Sequence, residues 1–333
     1  MDFYYYLCTK YCTVKKLSLL ISLFAVALSM GAQTSGEYVF EFLRLPASSH
    51  VAAVGGENIT MVDDDATLAI HNPALLQGVS DRSISLGYMR YMEGVSSYSA
   101  DYVHALGDKA TLGFTAQYLD YGTMKETDAE NNLLGDFKAN DLAIGAMLSY
   151  NLGKNVVGGV ATKFVYSTIG AYHSTGVAVD LGLNYYNENR DLSLSAVVKN
   201  LGGQLSAYDD EYEPIPLDLQ LGVSKRLNFI PLRLSLTLTD LNHLDYALVR
   251  HAVLGADLNL SRQIYIAAGY NIRRAHEMKL TSPNEFGEQE SSSHGAGLTL
   301  GAGLQLERFK LHVSYGKYHV SSSSLMFNVA FTL

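Results

Sequence analysis

Apolar and polar residues alternate one by one along most of the chain from about residue 82 onward. One such segment runs from Leu217 to Ser224, and similar runs cover residues 177–184, 232–239 and 296–305. A period of two places the apolar set on one face of a β-strand and the polar set on the other face. The pattern therefore predicts an all-β fold for this part of the chain.

The spacing of these runs predicts fourteen strands. Their bounds are 83–92, 96–106, 110–121, 138–150, 155–168, 172–186, 190–200, 216–226, 231–240, 250–260, 262–272, 293–306, 308–319 and 323–333. An even number of strands is the rule for bacterial single-chain barrels. We therefore predict a 14-stranded antiparallel transmembrane β-barrel over residues 82–333, preceded by a small N-terminal hatch.

The strands of a soluble β-sandwich also alternate apolar and polar residues. The sandwich and the barrel therefore have to be distinguished by the residue types on the two faces of the strands. Sandwich strands average five or six residues, and their outward face carries many lysines and glutamates. Here the runs are longer, the polar face is rich in Gly, Ser and Thr, and the apolar face is nearly uncharged. A lipid-facing band needs that apolar face, because Arg or Lys at the bilayer midplane costs about 2–4 kcal/mol.

The lengths of the connections favour the barrel independently. The odd-to-even connections include the long ones, at residues 122–137, 201–215, 241–249 and 273–292, whereas the even-to-odd connections are short. Barrels of this class have short periplasmic turns and long outer loops. We therefore expect the long loops to face the outside of the cell.

Residues 1–32 have the features of a secretory signal peptide. Lys15 and Lys16 precede an apolar run at residues 17–28, and small residues before Gln33 offer a cleavage site. Both cysteines of the chain lie before this run, so we expect the mature protein to have no thiol. We expect export and localisation in the outer membrane.

Charge excludes one class of function. The chain has a net charge of −9, and it becomes more acidic when the lysines of the signal peptide are removed. An acidic chain without basic clusters is a poor nucleic-acid binder, so we expect no nucleic-acid partner.

Residues 33–81 do not follow the strand rhythm. A short helix is predicted at residues 47–54, ended by two glycines, and a capped helix or turn is predicted after Asp63–Asp65. We expect this segment to fold into the barrel lumen as a hatch or plug. A free periplasmic tail is the alternative, and the apolar content of the segment speaks against it.

The predicted final strand is amphipathic and ends with the chain. Its apolar face is typical of the signal that the outer-membrane assembly machinery recognises. We assign that signal to Phe327, Val329, Phe331 and Leu333.

Residues 42–56 (FLRLPASSHVAAVGG), 64–66 (DDA) and 71–75 (HNPAL) resemble the PorV/PorQ family of type IX secretion system barrels. The LPASSH form at residues 45–50 is closer to PorQ-type than to PorV-type sequences. The DDA and NPA elements are shared with the wider FadL-like group. The resemblance extends over the mature chain, including the hatch region and the fourteen strands.

This resemblance implies a non-catalytic role in a cell-surface attachment complex, in which PorQ-type proteins hold the surface protein PorZ and PorV-type proteins hold the sortase-like PorU. Such a complex releases cargo and links it to lipopolysaccharide. The implied partners are a PorZ-like protein, PorU-like and PorV-like components, lipopolysaccharide and outer-membrane lipid. The alternatives are a FadL-like transporter of long-chain fatty acids or other hydrophobic compounds, and a barrel without a specific partner.

We expect no catalytic, cofactor-binding or metal-binding residues. Ser314 and Lys317 match an S-x-x-K pattern, but positions three apart lie on opposite faces of a strand. Asp63–Asp65 lacks the later oxygens of an EF-hand loop and is predicted to be a solvated turn. The ten histidines show neither an H-x-x-x-H nor an H-E-x-x-H pattern.

Two further groups of residues are candidates for function. The predicted inward face carries charges of both signs, which we interpret as a network tying the hatch to the wall, with a permeation path as the alternative: Lys163, Asp180, Lys199, Asp218, Arg233, Asp257 and Lys310. Acidic residues interleaved with Tyr, which is enriched at interface hot spots, predict a partner-docking loop. Its residues are Tyr208, Asp209, Asp210, Glu211, Tyr212 and Glu213, and a merely solvated loop is the alternative.

Overall fold

A computed structural model describes residues 38–227, 229–243, 247–283, 289–292, 295–318 and 322–333. The predicted signal peptide, residues 1–32, lies outside the described residues. Among the helices that the structure describes, none has the length and hydropathy needed to cross a membrane.

Fourteen strands of the described residues close into one antiparallel barrel, in which β1 pairs with the last strand. A separate hairpin, β12 (Leu280–Pro283) with β13 (Gln289–Ser292), belongs to the connection between the barrel strands β11 and β14, which pair directly with each other. The predicted 14-stranded barrel is confirmed. Its strands are β1 (Ser83–Met92), β2 (Val95–Ala105), β3 (Ala110–Thr127), β4 (Leu133–Gly153), β5 (Val156–Ile169), β6 (Tyr172–Asn187), β7 (Leu192–Ser206), β8 (Asp218–Arg226), β9 (Leu232–Leu238), β10 (Ala252–Asn259), β11 (Ile264–Asn271), β14 (Leu298–Gln305), β15 (Phe309–Gly316) and β16 (Ser324–Thr332).

The alternation along each strand places apolar side chains on the outside of the barrel. On β16, for example, exposed Leu325 and Phe327 flank buried Met326. Tyr88, Tyr98 and Tyr118 lie side by side on the outer face of β1, β2 and β3. An apolar exterior with interfacial aromatic rings is what a bilayer requires of a barrel surface.

Connections at the two ends of the barrel differ in length, as the sequence predicts. At one end, which we call the turn end, the connections are 106–109, 154–155, 188–191, 227–231, 260–263 and 306–308. At the other end, which we call the loop end, they include 207–217, 239–251 and 272–297. Because long loops face outward in this class, the loop end corresponds to the outside of the cell.

The predicted loop at residues 122–137 is wrong, because β3 and β4 continue through most of it. Beyond Asp120 and Ala139, β3 and β4 have only each other as strand partners, as far as Thr127 and Leu133. We call residues 121–138 the β3–β4 ribbon, and at its base Gly170 N donates to the Lys138 carbonyl at 2.9 Å. Six residues of β4, 133–138, at about 3.4 Å each carry the ribbon roughly 20 Å beyond the last pairing with β5.

Two other loop-end connections also contain more regular structure than the sequence predicts. Strand β7 continues to Ser206, which shortens the connection to β8 to residues 207–217. The predicted loop at 273–292 holds helix α2 (Ile272–Glu277) and the β12–β13 hairpin.

The N-terminal segment, residues 38–80, lies inside the barrel. It contains α1 (Ser49–Ala53) and three 3-10 helices, η1 (Glu41–Arg44), η2 (Ala66–Ile70) and η3 (Pro73–Gly78). Ser48, Asp65 and Asn72 begin α1, η2 and η3, and each accepts a hydrogen bond from a backbone N–H of the first turn. Helix α1 packs against β14 and β15, and η3 packs against β4 and β5.

Candidate functional site: the barrel lumen and the loop end

The charged residues predicted for the inward face are all buried, and the Lys or Arg side chains of three of them form ion pairs with the N-terminal segment. The three ion pairs are Lys199–Glu57 at 3.4 Å, Arg233–Asp63 at 2.7 Å and Lys310–Asp64 at 2.6 Å. Each joins a strand of the wall to a residue of the segment that fills the lumen. The predicted network between segment and wall is therefore present.

Arg233 connects the largest part of this network. Its Nη2 donates to Asp63 and lies 3.3 Å from the Met61 sulfur, while its Nε donates to Asp257 at 3.1 Å. Asp257 in turn accepts a hydrogen bond from His50 Nε2 at 2.7 Å. The planar guanidinium can bridge two carboxylates in this way because its N–H groups form a fixed fork.

The prediction of a solvated turn at Asp63–Asp65 is wrong. Asp65 is buried and caps η2, and the other two carboxylates pair with the wall. Burial alone would raise the pKa of Asp64, but hydrogen bonds from Lys310 and Ser80 outweigh it and hold the pKa below its usual value. The carboxylates are therefore charged anchors of the segment.

Close backbone packing also holds the N-terminal segment against the wall. A Cβ atom at Gly269 would lie 2.1 Å from Gly55 N and from the Val54 carbonyl carbon. At Gly159 a Cβ atom would lie 2.3 Å from Ala74 N. Only glycine permits these approaches, since real Cβ contacts are never that short.

At the loop end the segment begins in an apolar cluster. Phe40 and Leu43 pack with Leu119, Val165 and Ile215 of the wall. The chain is fixed there by Val39 N, which donates to the Pro214 carbonyl at 2.9 Å. The start of the N-terminal segment is thus tied to the connection that carries the predicted docking residues.

The structure divides the predicted docking residues into two groups. Tyr208 is half-buried, packs against the apolar cluster and hydrogen-bonds to Ser167, so it anchors the loop. Asp209, Asp210, Glu211, Tyr212 and Glu213 are exposed. The exposed five, which we call the docking loop, remain a prediction as a contact site.

The β3–β4 ribbon forms a second exposed surface at the loop end. Leu133 and Leu134 near its tip are 70% and 62% exposed. Lys125 pairs with Asp136 across the ribbon at 2.7 Å. Asp128 lies in the turn at the tip of the ribbon, where hydrogen bonds from the side chain and backbone of Asn132 hold the pKa of its carboxyl below the usual value. Within the part of the chain that the structure describes, neither edge of the ribbon has a neighbouring strand.

A cavity of about 530 Å³ opens at the loop end of the lumen. Its wall combines apolar and aromatic side chains, among them Phe42, Leu119 and Tyr121, with three arginines and five carboxylates. The charged residues are Arg44, Arg273, Arg274, Glu41, Glu57, Asp218, Asp240 and Glu277. Asp240 lies 3.2 Å from Arg44 and also pairs with Arg273. Burial opposes the charge of Arg44, but Asp240 and Glu41 raise its pKa, so the guanidinium stays protonated.

Sequence spacing missed one group of side chains altogether. His50, Asp65 and His312 come together inside the barrel, with one ligand atom of each within 4.8 Å of the others. The three lie on α1, at the start of η2 and on β15, so no local motif could reveal them. Their convergence contradicts the reasoning from histidine spacing that led us to expect no such group.

The remaining sequence candidates have clear positions. Ser314 is buried on the inward face of β15, and Lys317 follows the end of that strand. Phe327, Val329, Phe331 and Leu333 are exposed on the outward face at the closing strand. Their recognition by the assembly machinery remains a prediction.

Comparison with solved structures finds hydrocarbon channels of the outer membrane. The toluene transporter TodX of Pseudomonas putida matches with a TM-score of 0.53 at 13% identity, over 86% of this chain and 97% of TodX. The monoaromatic hydrocarbon channel CymD matches with a TM-score of 0.58 at 13% identity, over 88% of this chain and 98% of CymD. The protein shares the closed-barrel fold of TodX and CymD.

At 13% identity this likeness concerns the fold alone. No model of a known protein family matches the chain, and no curated protein matches it. The resemblance to the PorV/PorQ family therefore stays a prediction from residues 42–75.

Proposed function

We propose that this protein is a non-catalytic outer-membrane anchor that holds a surface protein in the type IX secretion attachment complex. The observation that carries the proposal is the ordered surface at the loop end. There the β3–β4 ribbon projects roughly 20 Å beyond its neighbours, and the docking loop is exposed on the same end of the barrel. An anchor needs such a surface outside the membrane.

The ribbon has the properties of a protein-binding element. Leu133 and Leu134 are exposed although they lie in a regular strand. Both edges of the ribbon offer unpaired backbone groups, to which an extended segment of a partner can add as a further strand. Apolar side chains beside such an edge supply specificity.

Charge indicates what kind of partner fits. The docking loop contributes four exposed carboxylates, and the ribbon adds Glu126 and Glu130. This surface favours a basic face on a protein and repels anionic lipopolysaccharide. The PorZ-like surface protein implied by the sequence resemblance is accordingly the partner we assign to it, with PorU-like and PorV-like components joining through that protein.

The lumen supports an anchor as well. The N-terminal segment occupies it as a hatch and is bound to the wall by three ion pairs and by backbone packing. The residues of the PorV/PorQ resemblance build this hatch, including His50, Gly55 and Asn72. A barrel that serves only as an anchor has no substrate to pass, so a lumen filled by a hatch fits this role.

A FadL-like transporter of hydrophobic compounds is the second candidate, favoured by one specific feature. The loop-end cavity places Arg274, which forms no ion pair with a carboxylate among the described residues, on the same wall as Phe42 and Leu119, whereas Arg44 and Arg273 are already paired with Asp240. A guanidinium in a cavity with apolar side chains suits an amphipathic acid such as a long-chain fatty acid, with its carboxylate on Arg274. The names of TodX and CymD point to hydrophobic substrates for those proteins.

Replacing residues 209–213 by a Gly/Ser stretch tests the anchor. We expect the barrel to assemble normally, because a loop tip adds little to its stability, and the surface partner to be lost from mild-detergent purifications of the native protein. Raising the salt concentration should weaken the wild-type contact too, because carboxylates contribute to it.

The matched control replaces residues 188–190, at the turn end, by the same kind of stretch, and this variant should retain the partner. Equal retention by both variants, together with specific fatty-acid uptake by the purified barrel in liposomes, would reject the anchor in favour of the transporter.

A further inference from the structure

Several buried side-chain atoms of the described residues have no hydrogen-bond partner, and three of them belong to one cluster of side chains. They are His50 Nδ1, Asp65 Oδ2 and His312 Nε2, on the three side chains that come together inside the barrel. His312 Nε2 lies 3.9 Å from Asp65 Oδ2. A polar atom that is buried without a partner is unfavourable, so three such atoms close together call for a ligand.

The partners of the other ring nitrogens decide what ligand fits. Asp257 only accepts hydrogen bonds, so His50 Nε2 carries a proton toward it and Nδ1 keeps a lone pair. The Tyr265 hydroxyl can accept the proton on His312 Nδ1, at 2.6 Å, and this leaves a lone pair on Nε2. Each of the three side chains then has a lone pair without a partner, and one ligand atom of each lies within 4.8 Å of the others. A water molecule has only two protons to offer them, whereas a cation satisfies all three.

The charge of the surroundings points the same way. Four carboxylates belong to this part of the lumen, from Asp63, Asp64, Asp65 and Asp257, and they face two cations, Arg233 and Lys310. The two cations balance two of the four carboxylates, so two negative charges are left. A divalent cation balances them.

We propose that His50, Asp65 and His312 bind a divalent transition-metal ion of the zinc class. Two imidazoles and one carboxylate are a ligand set that this class accepts, with a further position left for water. Bonds of about 2.0–2.2 Å require ligand atoms ~3.3–3.5 Å apart, so the side chains close in by roughly an ångström on loading. Hydrogen bonds from the far sides of both rings, to Asp257 and Tyr265, are the outer support that metal-binding histidines have.

Such an ion would cross-link the hatch to the wall. His50 and Asp65 belong to the N-terminal segment, whereas His312 belongs to β15. The bound ion therefore holds three parts of the chain that are far apart in sequence, and its removal should loosen the hatch without opening the barrel.

The test uses the full chain, refolded in detergent with a chelator, dialysed and then given Zn²⁺ or Co²⁺ alone. We expect one equivalent of metal per protein and a Co²⁺ absorption spectrum typical of nitrogen and oxygen ligands. Asp65→Asn and His312→Gln should each weaken binding by roughly a hundredfold, and Tyr265→Phe, which removes only the support of His312, by about tenfold. Hydrogen exchange in residues 49–56 should slow when the metal is added.

His71→Gln is the matched control, because His71 is an equally buried histidine of the same segment and should not affect binding. Folding of every variant is checked by the shift in electrophoretic mobility on heating. The proposal is overturned if the folded wild-type protein takes up less than a tenth of an equivalent, or if the Asp65 and His312 variants bind as tightly as the wild type.

Discussion

A single side chain on a barrel strand meets either lipid or the lumen, and the difference decides what it can be. Leu300 faces outward on β14, where it is 49% exposed and neighbours Ala268 and Tyr315 on the adjacent strands. Thr299, one residue earlier, is completely buried and bonds to Gly55 N and the Ala53 carbonyl, each at 2.8 Å. The same step along the chain thus changes the surroundings from lipid to packed protein.

Leu300→Arg should lower the free energy of unfolding in lipid vesicles by about 2–4 kcal/mol, since it moves a charge into the hydrocarbon. Leu134→Arg makes the same change on the β3–β4 ribbon, where the side chain is 62% exposed. This control should fold like the wild type, because the ribbon lies outside the membrane. Heat-dependent gel mobility measures the folded fraction, and equal losses in the two variants would contradict the placement of the ribbon.

Among the elements, the N-terminal segment depends on the wall more than the wall depends on it. Its helices have four to six residues each, which is too short to be stable alone. They are held by ion pairs and by glycines that let the two backbones touch. A change at such a contact should therefore act on the segment first.

Gly269→Ala should displace residues 49–56 from the wall, because its Cβ would meet the backbone of Val54 and Gly55 at 2.1 Å. Overpacking of this kind costs about 1–3 kcal/mol. Gly203→Ala, on β7 with no atom within 4 Å of the new Cβ, is the control. Limited proteolysis should cut the N-terminal segment faster in the first variant only, while the barrel of both stays heat-modifiable. Unchanged proteolysis of Gly269→Ala would disprove the tight contact.

Local patterns predict some elements and miss others for physical reasons. The positions of the strands follow from the sequence, because alternation is a pattern between neighbouring residues. The end of the barrel at which each connection lies follows too, because short and long connections alternate along the chain. The ribbon does not, because the polar residues at 121–138 become strands only by pairing with each other beyond the bilayer. The approach of His50 to His312 depends on packing between distant elements, which no spacing of residues encodes.

On the scale of the whole molecule, a lumen filled by the N-terminal segment is combined with an exposed, acidic loop end. The hatch occupies the barrel interior, and the lipid-facing band holds the barrel in the membrane. The remaining distinctive surface is formed by the ribbon and the docking loop, on the side that faces the outside of the cell. Retention of a surface protein at that end is the central claim.

Site-specific photo-crosslinking in living cells tests this claim most directly. A photoreactive residue replaces Leu134 near the ribbon tip in one strain and Leu152 at the turn end of the same strand in another; the two side chains are 62% and 57% exposed. The account predicts an adduct of one defined mass with a surface protein from position 134 and none of that mass from position 152. The absence of any protein adduct from position 134 in correctly assembled barrels would contradict it.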